Sequence, residues 1–138
     1  MSSKTNVMLW VVQGLLAGLF LFAGGMKLVM PIEAMAAQVG LPSAFLRFIG
    51  VVEVLGGLGL ILPGALRIRT GLTPLAAAGL VIVMTGATAV TAVGGAAAPA
   101  LVPASVGLLC GWISFARSRR RASGEAGSRA AILTRTAA

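Results

Sequence analysis

The chain contains no histidine, no tyrosine and no aspartate, and its only cysteine is Cys110. One thiol cannot form an intrachain disulfide or a two-thiol redox motif, and a His/Cys metal cage cannot be assembled from a single chain. Most of the side chains used for proton transfer and nucleophilic attack are therefore missing. Charge is scarce as well. Charged residues make up 10% of the 138 positions, against roughly 25% in an average soluble domain, and so few charges cannot cover a water-exposed surface.

Apolar residues are what the chain has in abundance: 58% of positions are hydrophobic and the mean hydropathy is +1.01. The length allows one domain, and lipid can solvate the apolar side chains. The net charge is +8. Its Lys and Arg residues lie between and beyond the apolar stretches instead of forming one folded basic face, which argues against nucleic acid as a partner. Arg117, Arg119, Arg120, Arg121, Arg129 and Arg135 follow the last apolar stretch. There they serve as a topology anchor, and Arg117, Arg119, Arg120 and Arg121 are placed to meet anionic lipid headgroups. Cys110 lies in an apolar run and is expected to act as a small packing residue.

A helix crosses the hydrocarbon layer with about 20 apolar residues, and four segments qualify, at about 7–29, 45–62, 72–93 and 98–116. Pro31 stops the first, Pro63-Gly64 the second and Gly94-Gly95 the third, while Thr73-Pro74 opens the third in an N-cap and first-turn pattern. Pro99 and Pro103 crowd the start of the fourth. The first apolar stretch is about twice as long as a signal-peptide h-region, so it reads as a retained span. Between the first two spans, Pro31, Ile32, Met35, Ala36 and Val39, closed by Gly40 and Pro42, predict a short interfacial helix over about 32–39. The expected fold is all-α: a four-transmembrane-helix bundle over residues 1–121, followed by a disordered basic tail over 122–138.

Basic residues also orient the bundle. With four spans, Lys4, Arg67, Arg69 and the six arginines after the last span share one side; Lys27 and Arg47 lie on the other, and the third connection, residues 94–97, is uncharged. Both termini are therefore expected in the cytoplasm, in a multi-pass protein of a bacterial-type cytoplasmic (inner) membrane.

Small residues decide helix contacts in lipid, because little hydrophobic drive exists there. At 100° per residue, Gly14, Gly18 and Gly25 share one face of the first span. Gly50, Gly56 and Gly57 share a face of the second with Glu53, and Gly107 and Gly111 form a GxxxG on the fourth with Ser114 nearby. These stripes predict a tight bundle.

Glu53 is the most informative residue. It lies about 12 Å below the outer start of its helix, where an ionised carboxylate is costly and faces the protein interior or a wet cavity. Lys27 is the first candidate to neutralise it and Arg47 the second, although Arg47 points about 120° away; protonation of an unpaired Glu53 is the alternative. Such a pair either locks the first two spans in register or forms a site for a headgroup, quinone or proton. Gln13 lies within some 40° of Lys27, which gives the first span one polar line roughly opposite its glycines. Thr85, Thr88 and Thr91 are expected to bond their own preceding carbonyls.

The stretch Ala23-Gly24-Gly25-Met26-Lys27-Leu28, the run from Arg47 through Glu53 and Gly56-Gly57 to Pro63, and Leu72-Thr73-Pro74-Leu75 resemble the DoxX and DoxX-like membrane proteins. The resemblance covers about the first ninety residues, and the fourth span matches in character only. It implies a four-helix membrane bundle with Lys27, Arg47 and Glu53 as characteristic polar residues. It also implies the family's company: small subunits of a thiosulfate:quinone oxidoreductase, partners of membrane redox enzymes, and membrane assembly factors. The chain has no cysteine pair and no recognisable flavin or haem ligands, so autonomous electron transfer is not expected. At most it would be a subunit of a quinone-linked oxidoreductase. No covalent or metal-held cofactor is expected, and quinone remains open as a ligand. The implied partners are the lipid bilayer, a redox protein and further copies of the chain. A proton-coupled transporter using Glu53, and an assembly or stress-response factor without a ligand, are the competing readings.

Overall fold

A computed structural model describes residues 3–69, 71–95 and 97–137. Among the described residues five helices follow in order: α1 (Ser3–Val29), α2 (Glu33–Val39), α3 (Ser43–Ala65), α4 (Leu72–Val93) and α5 (Ala97–Thr136). Four of them, all but α2, are long and apolar enough to cross a membrane. α1 packs on α3, α3 on α4 and α4 on α5, and a smaller contact brings α5 back to α1.

Each spanning helix buries one narrow stripe. On α1 this is Leu9, Gln13, Leu16, Ala17, Phe20 and Gly24; on α3 it is Leu46, Gly50, Glu53, Gly57, Leu60 and Pro63. Spacings of three and four keep such residues on one side of a helix. Leu9, Phe20, Leu60, Leu80 and Ile113 form the centre of the core with the buried Cys110. Large apolar side chains such as Leu15, Phe22, Leu55, Ile82 and Leu108 point outward. That inverted pattern fits a bilayer, where an outward leucine is already in an apolar solvent.

α2 lies between the first two spans as the interfacial helix. Ile32, just before it, is its buried anchor, while no residue within α2 is buried. Gly40 ends it with φ +67, a left-handed conformation that glycine adopts without a Cβ penalty. Arg67 and Arg69, in the α3–α4 connection, also take positive φ, at 55 and 42. Two cations thus sit where an L side chain is disfavoured. The α4–α5 connection includes Ala96, which lies outside the described residues.

The tail differs from expectation. The segment 122–138, read above as disordered, continues α5 as helix to Thr136, fully exposed; Ala138 is outside the described residues. Nucleation is the costly step of helix formation, and the preceding span has already supplied it. Propagation is then carried by alanines and arginines, an Arg121–Glu125 pair four residues apart, and hydroxyl bonds such as Ser123 to the Arg119 carbonyl.

Glycine packing also differs on α1. A Cβ built on Gly14, Gly18 or Gly25 would meet nothing within 4 Å, whereas one on Gly24 would lie 2.6 Å from the Gly50 carbonyl oxygen and 2.8 Å from Val54. The first three glycines face away, and Gly24 makes the close approach. On α3, Gly50 meets Lys27, Gly57 meets the Ala17 backbone and Leu21, and Gly56 meets Leu80 of α4. Gly107 lies against Met84 and Gly111 against Val81, and the Ser114 hydroxyl donates to the Pro74 carbonyl at 2.9 Å.

Gly24→Ala should lower the thermal stability of the detergent-solubilised protein by about 1–3 kcal/mol, the usual cost of overpacking. Gly18→Ala should leave it unchanged or slightly raised. Equal losses in thermal unfolding would mean that α1 presents a different face to α3.

Candidate functional site

Two clusters of polar side chains join the helices, one at each end of α1. At the end near α2, Lys27 Nζ lies 2.8 Å from Glu53 Oε2. Glu53 comes from the buried stripe of α3 and is 3% exposed. The contact between Gly50 and the Lys27 side chain sets the two helices at one level, so Lys27 has only to reach one turn inward to find the carboxylate. Lysines near helix ends usually extend toward water instead; the carboxylate turns this one in.

Arg47 does not join that pair. Its Nη1 donates to the Leu28 carbonyl at 2.8 Å, at the C-terminal turn of α1. The last carbonyls of a helix have no partner within it and carry partial negative charge, so the guanidinium caps α1 from α3. The 120° offset from Glu53 is what directs Arg47 there. Each helix thus gives a cation to the other.

Gln13 belongs to the opposite end. It is 1% exposed, and its Nε2 donates to the Leu60 carbonyl at 2.6 Å while its Oε1 accepts from Arg117 Nε at 2.7 Å and from Arg117 Nη2. A carbonyl can only accept and a guanidinium can only donate, so one amide orientation satisfies both. One side chain of α1 therefore bridges α3 and α5. It shares a helix direction with Lys27 but sits fourteen positions away, about 21 Å along the axis. Asn6 Oδ1 accepts from Arg120 Nη1 at 2.7 Å and from Arg117 Nη1 at 3.4 Å. The Arg117 guanidinium lies 5.3 Å from the Trp10 ring centroid, and Trp10 in turn covers Gly64.

The four arginines that follow the last span therefore divide. Arg117 and Arg120 turn toward α1 and are half-buried. Arg119 lies outward over the Phe115 ring at 5.0 Å and Arg121 pairs with Glu125 at 3.1 Å. The roles of Asn6 and Trp10 were not evident from the sequence, although a four-span topology places them level with the arginines. Thr85, Thr88 and Thr91 bond the carbonyls of Val81, Met84 and Ala87. Among the described residues, no three His, Cys, Asp or Glu side chains gather to hold a metal ion.

Beside Lys27 and Glu53, Gly24 and Gly50 bring α1 and α3 into close approach. Room appears elsewhere, in a groove of about 720 Å³ between α4 and α5, lined by residues including Met84, Thr85, Thr88, Pro103, Gly107 and Trp112.

The sequence matches the family model described as the DoxX-like family over residues 11–114. The chain belongs to the DoxX-like family. The match runs beyond the first ninety residues to Ser114, so it takes in at least part of each of the four spanning helices of this DoxX-like protein. It takes in Lys27, Arg47, Glu53 and Gln13, and it leaves out Asn6, Trp10 and Arg117 to Arg121. No curated protein and no solved structure matches the chain.

Lys27→Met should destabilise the DoxX-like protein more than Glu53→Gln. The first leaves a carboxylate 5% exposed, the second an amine 18% exposed that can turn back to water. Breaking a buried pair costs about 3–5 kcal/mol, and that range applies to Lys27→Met, with a smaller loss for Glu53→Gln. The double variant should lose less than the sum. Additive losses in a double-mutant cycle by thermal unfolding would show that the two charges do not interact.

Proposed function

We propose that this DoxX-like protein is a non-catalytic accessory subunit of a quinone-linked membrane redox system, which its bundle holds at the bilayer. The observation that carries the reading is α5. It continues past its last apolar turn as one helix over residues 117–136, about 30 Å at 1.5 Å per residue. Arg129 and Arg135 stand on this extension, beyond one Debye length of about 8–10 Å from the lipid surface. A rigid basic arm of that reach suits a soluble partner better than headgroups.

The redox assignment follows from the family resemblance, and the scarcity of catalytic side chains supports an accessory role. We place the side bearing nine of the eleven basic residues in the cytoplasm, in a bacterial-type inner membrane. The α4–α5 groove of about 720 Å³ falls within the usual range of roughly 300–1,000 Å³ for ligand sites and is where we place a quinone ring. The close pairing of Glu53 with Lys27 argues for a lock between α1 and α3 and against a proton-coupled transport path.

Purification of the full chain in mild detergent should bring down a partner with flavin or haem absorbance, together with solvent-extractable quinone. A chain truncated after Arg121 should retain at least about tenfold less partner, a difference of 1.4 kcal/mol, while keeping its bundle. Recovery of neither partner nor quinone with the full chain would overturn the proposal in favour of an assembly factor without a ligand.

A further inference from the structure

The groove between α4 and α5 exists because two positions of α5 carry no side chain. Gly107 lies against Met84 and Gly111 against Val81, and the walls beside them are almost wholly apolar. Three side chains of the lining carry a polar hydrogen: Thr85, Thr88 and Trp112. The two hydroxyls donate to the Val81 and Met84 carbonyls of their own helix, at 2.8 and 2.7 Å. Trp112 differs from them, because its indole N–H has no acceptor among the described residues. The residue is 36% exposed, so its ring can be reached from the groove.

Position separates Trp112 from Trp10, the other tryptophan of the chain. Trp10 stacks on the Arg117 guanidinium at the basic end, where an amphipathic ring normally settles among headgroups. Trp112 precedes Arg117 by five residues, about 7.5 Å along the helix. Helical side chains also lean toward the N-terminus of their helix, and α5 starts at the end opposite the arginines. The Trp112 indole therefore leans away from the basic end, toward the middle of the span. At that depth no water is available to an N–H, and a polar hydrogen without a partner is costly. A ligand that carries an oxygen acceptor into the groove removes that cost.

A plain hydrocarbon chain fills an apolar groove but offers an indole no acceptor. A flat ring with a carbonyl oxygen offers one. We propose that Trp112 binds and orients the ring of a quinone in the α4–α5 groove: its N–H donates to a quinone carbonyl, and the hydrocarbon tail runs past Gly107 toward Ala92 and Pro103. Thr85 and Thr88 set this direction. With their hydrogens committed they can only accept, so a carbonyl finds its donor at the Trp112 end alone. The inference rests on the groove being the quinone site named above, and adds the residue that holds the ring and the way the molecule lies.

The test uses the full chain in phosphatidylcholine nanodiscs, titrated with decylubiquinone and with decylbenzene, which has a ring and the same tail but no carbonyl. Decylubiquinone should bind saturably and about five- to tenfold tighter than decylbenzene, the contribution of one hydrogen bond. Trp112→Phe keeps an aromatic ring and removes the N–H; it should bring decylubiquinone down to the decylbenzene level and leave decylbenzene unchanged. Ala89→Leu, at an outward position of the groove, should weaken both probes. Equal affinity of Trp112→Phe and the unaltered chain for decylubiquinone, equal binding of the two probes, or no effect of Ala89→Leu would overturn the assignment. Thermal unfolding of each variant separates loss of the site from loss of the fold; should Trp112→Phe unfold, the two probes on the unaltered chain and on Ala89→Leu carry the comparison. The accessory role is read apart from these titrations. A flavin- or haem-bearing partner that co-purifies with a chain showing no preference for decylubiquinone would keep that role and overturn the assignment of Trp112. The expected titrations without any redox partner would keep Trp112 and remove the subunit role.

Discussion

With a glycine on each side, α1 and α3 come close enough at Gly24 and Gly50 for one backbone to lie against the other, and that contact sets the level at which Lys27 meets α3. In lipid the association of two helices is not driven by hiding apolar surface, so close packing and polar bonds have to hold it. Gly24 and Gly50 supply the packing. The same approach shortens the reach from Lys27 to Glu53 to one turn and places the Leu28 carbonyl within reach of Arg47. A side chain at either glycine would move all three contacts at once.

The opposite end of α1 is held differently. There α1 and α5 touch over a small area, and the link is made largely by Gln13 and Asn6 receiving Arg117 and Arg120. Because Gln13 also bonds the Leu60 carbonyl of α3, its amide fixes three helices against one another with two heavy atoms. α1 is thus pinned by a charged pair at one end and by an amide bridge at the other, with Leu16, Ala17 and Phe20 packed between.

Much of this was legible in the sequence because the signals were long and physically unambiguous. Four apolar runs of membrane length, punctuated by Pro31, Pro63, Gly94 and Pro99, give the spans, and Gly40 with Pro42 gives the end of α2. Glu53 and Lys27 were legible as partners because an acid within a span has few ways to be neutralised. The contact of Arg117 with Gln13 was not, since it joins residues 104 positions apart and depends on how α5 is rotated, which no local pattern specifies. The helical tail was missed for a related reason. Polar, glycine-containing segments form no helix alone, and the continuation of α5 rests on the helix already built before it.

The rotation of α1 shows how such competing signals are resolved. Two stripes, Gly14-Gly18-Gly25 and the line through Gln13 and Lys27, lie on nearly opposite faces, and both cannot face the bundle. Turning the glycines outward forfeits some close packing, part of which Gly24, near the polar line, restores. Turning Lys27 and Gln13 outward would set a cation and an amide against acyl chains, at a cost of about 2.5–3.5 kcal/mol for the charge alone near mid-membrane, though less close to the interface, and would strand Glu53 as well. The polar line therefore governs, and the glycines follow it only where the two coincide. On α3 they do coincide, with Gly50 and Gly57 within about 60° of the direction of Glu53. There the glycine stripe and the buried face are the same, and reading either one from the sequence leads to the other.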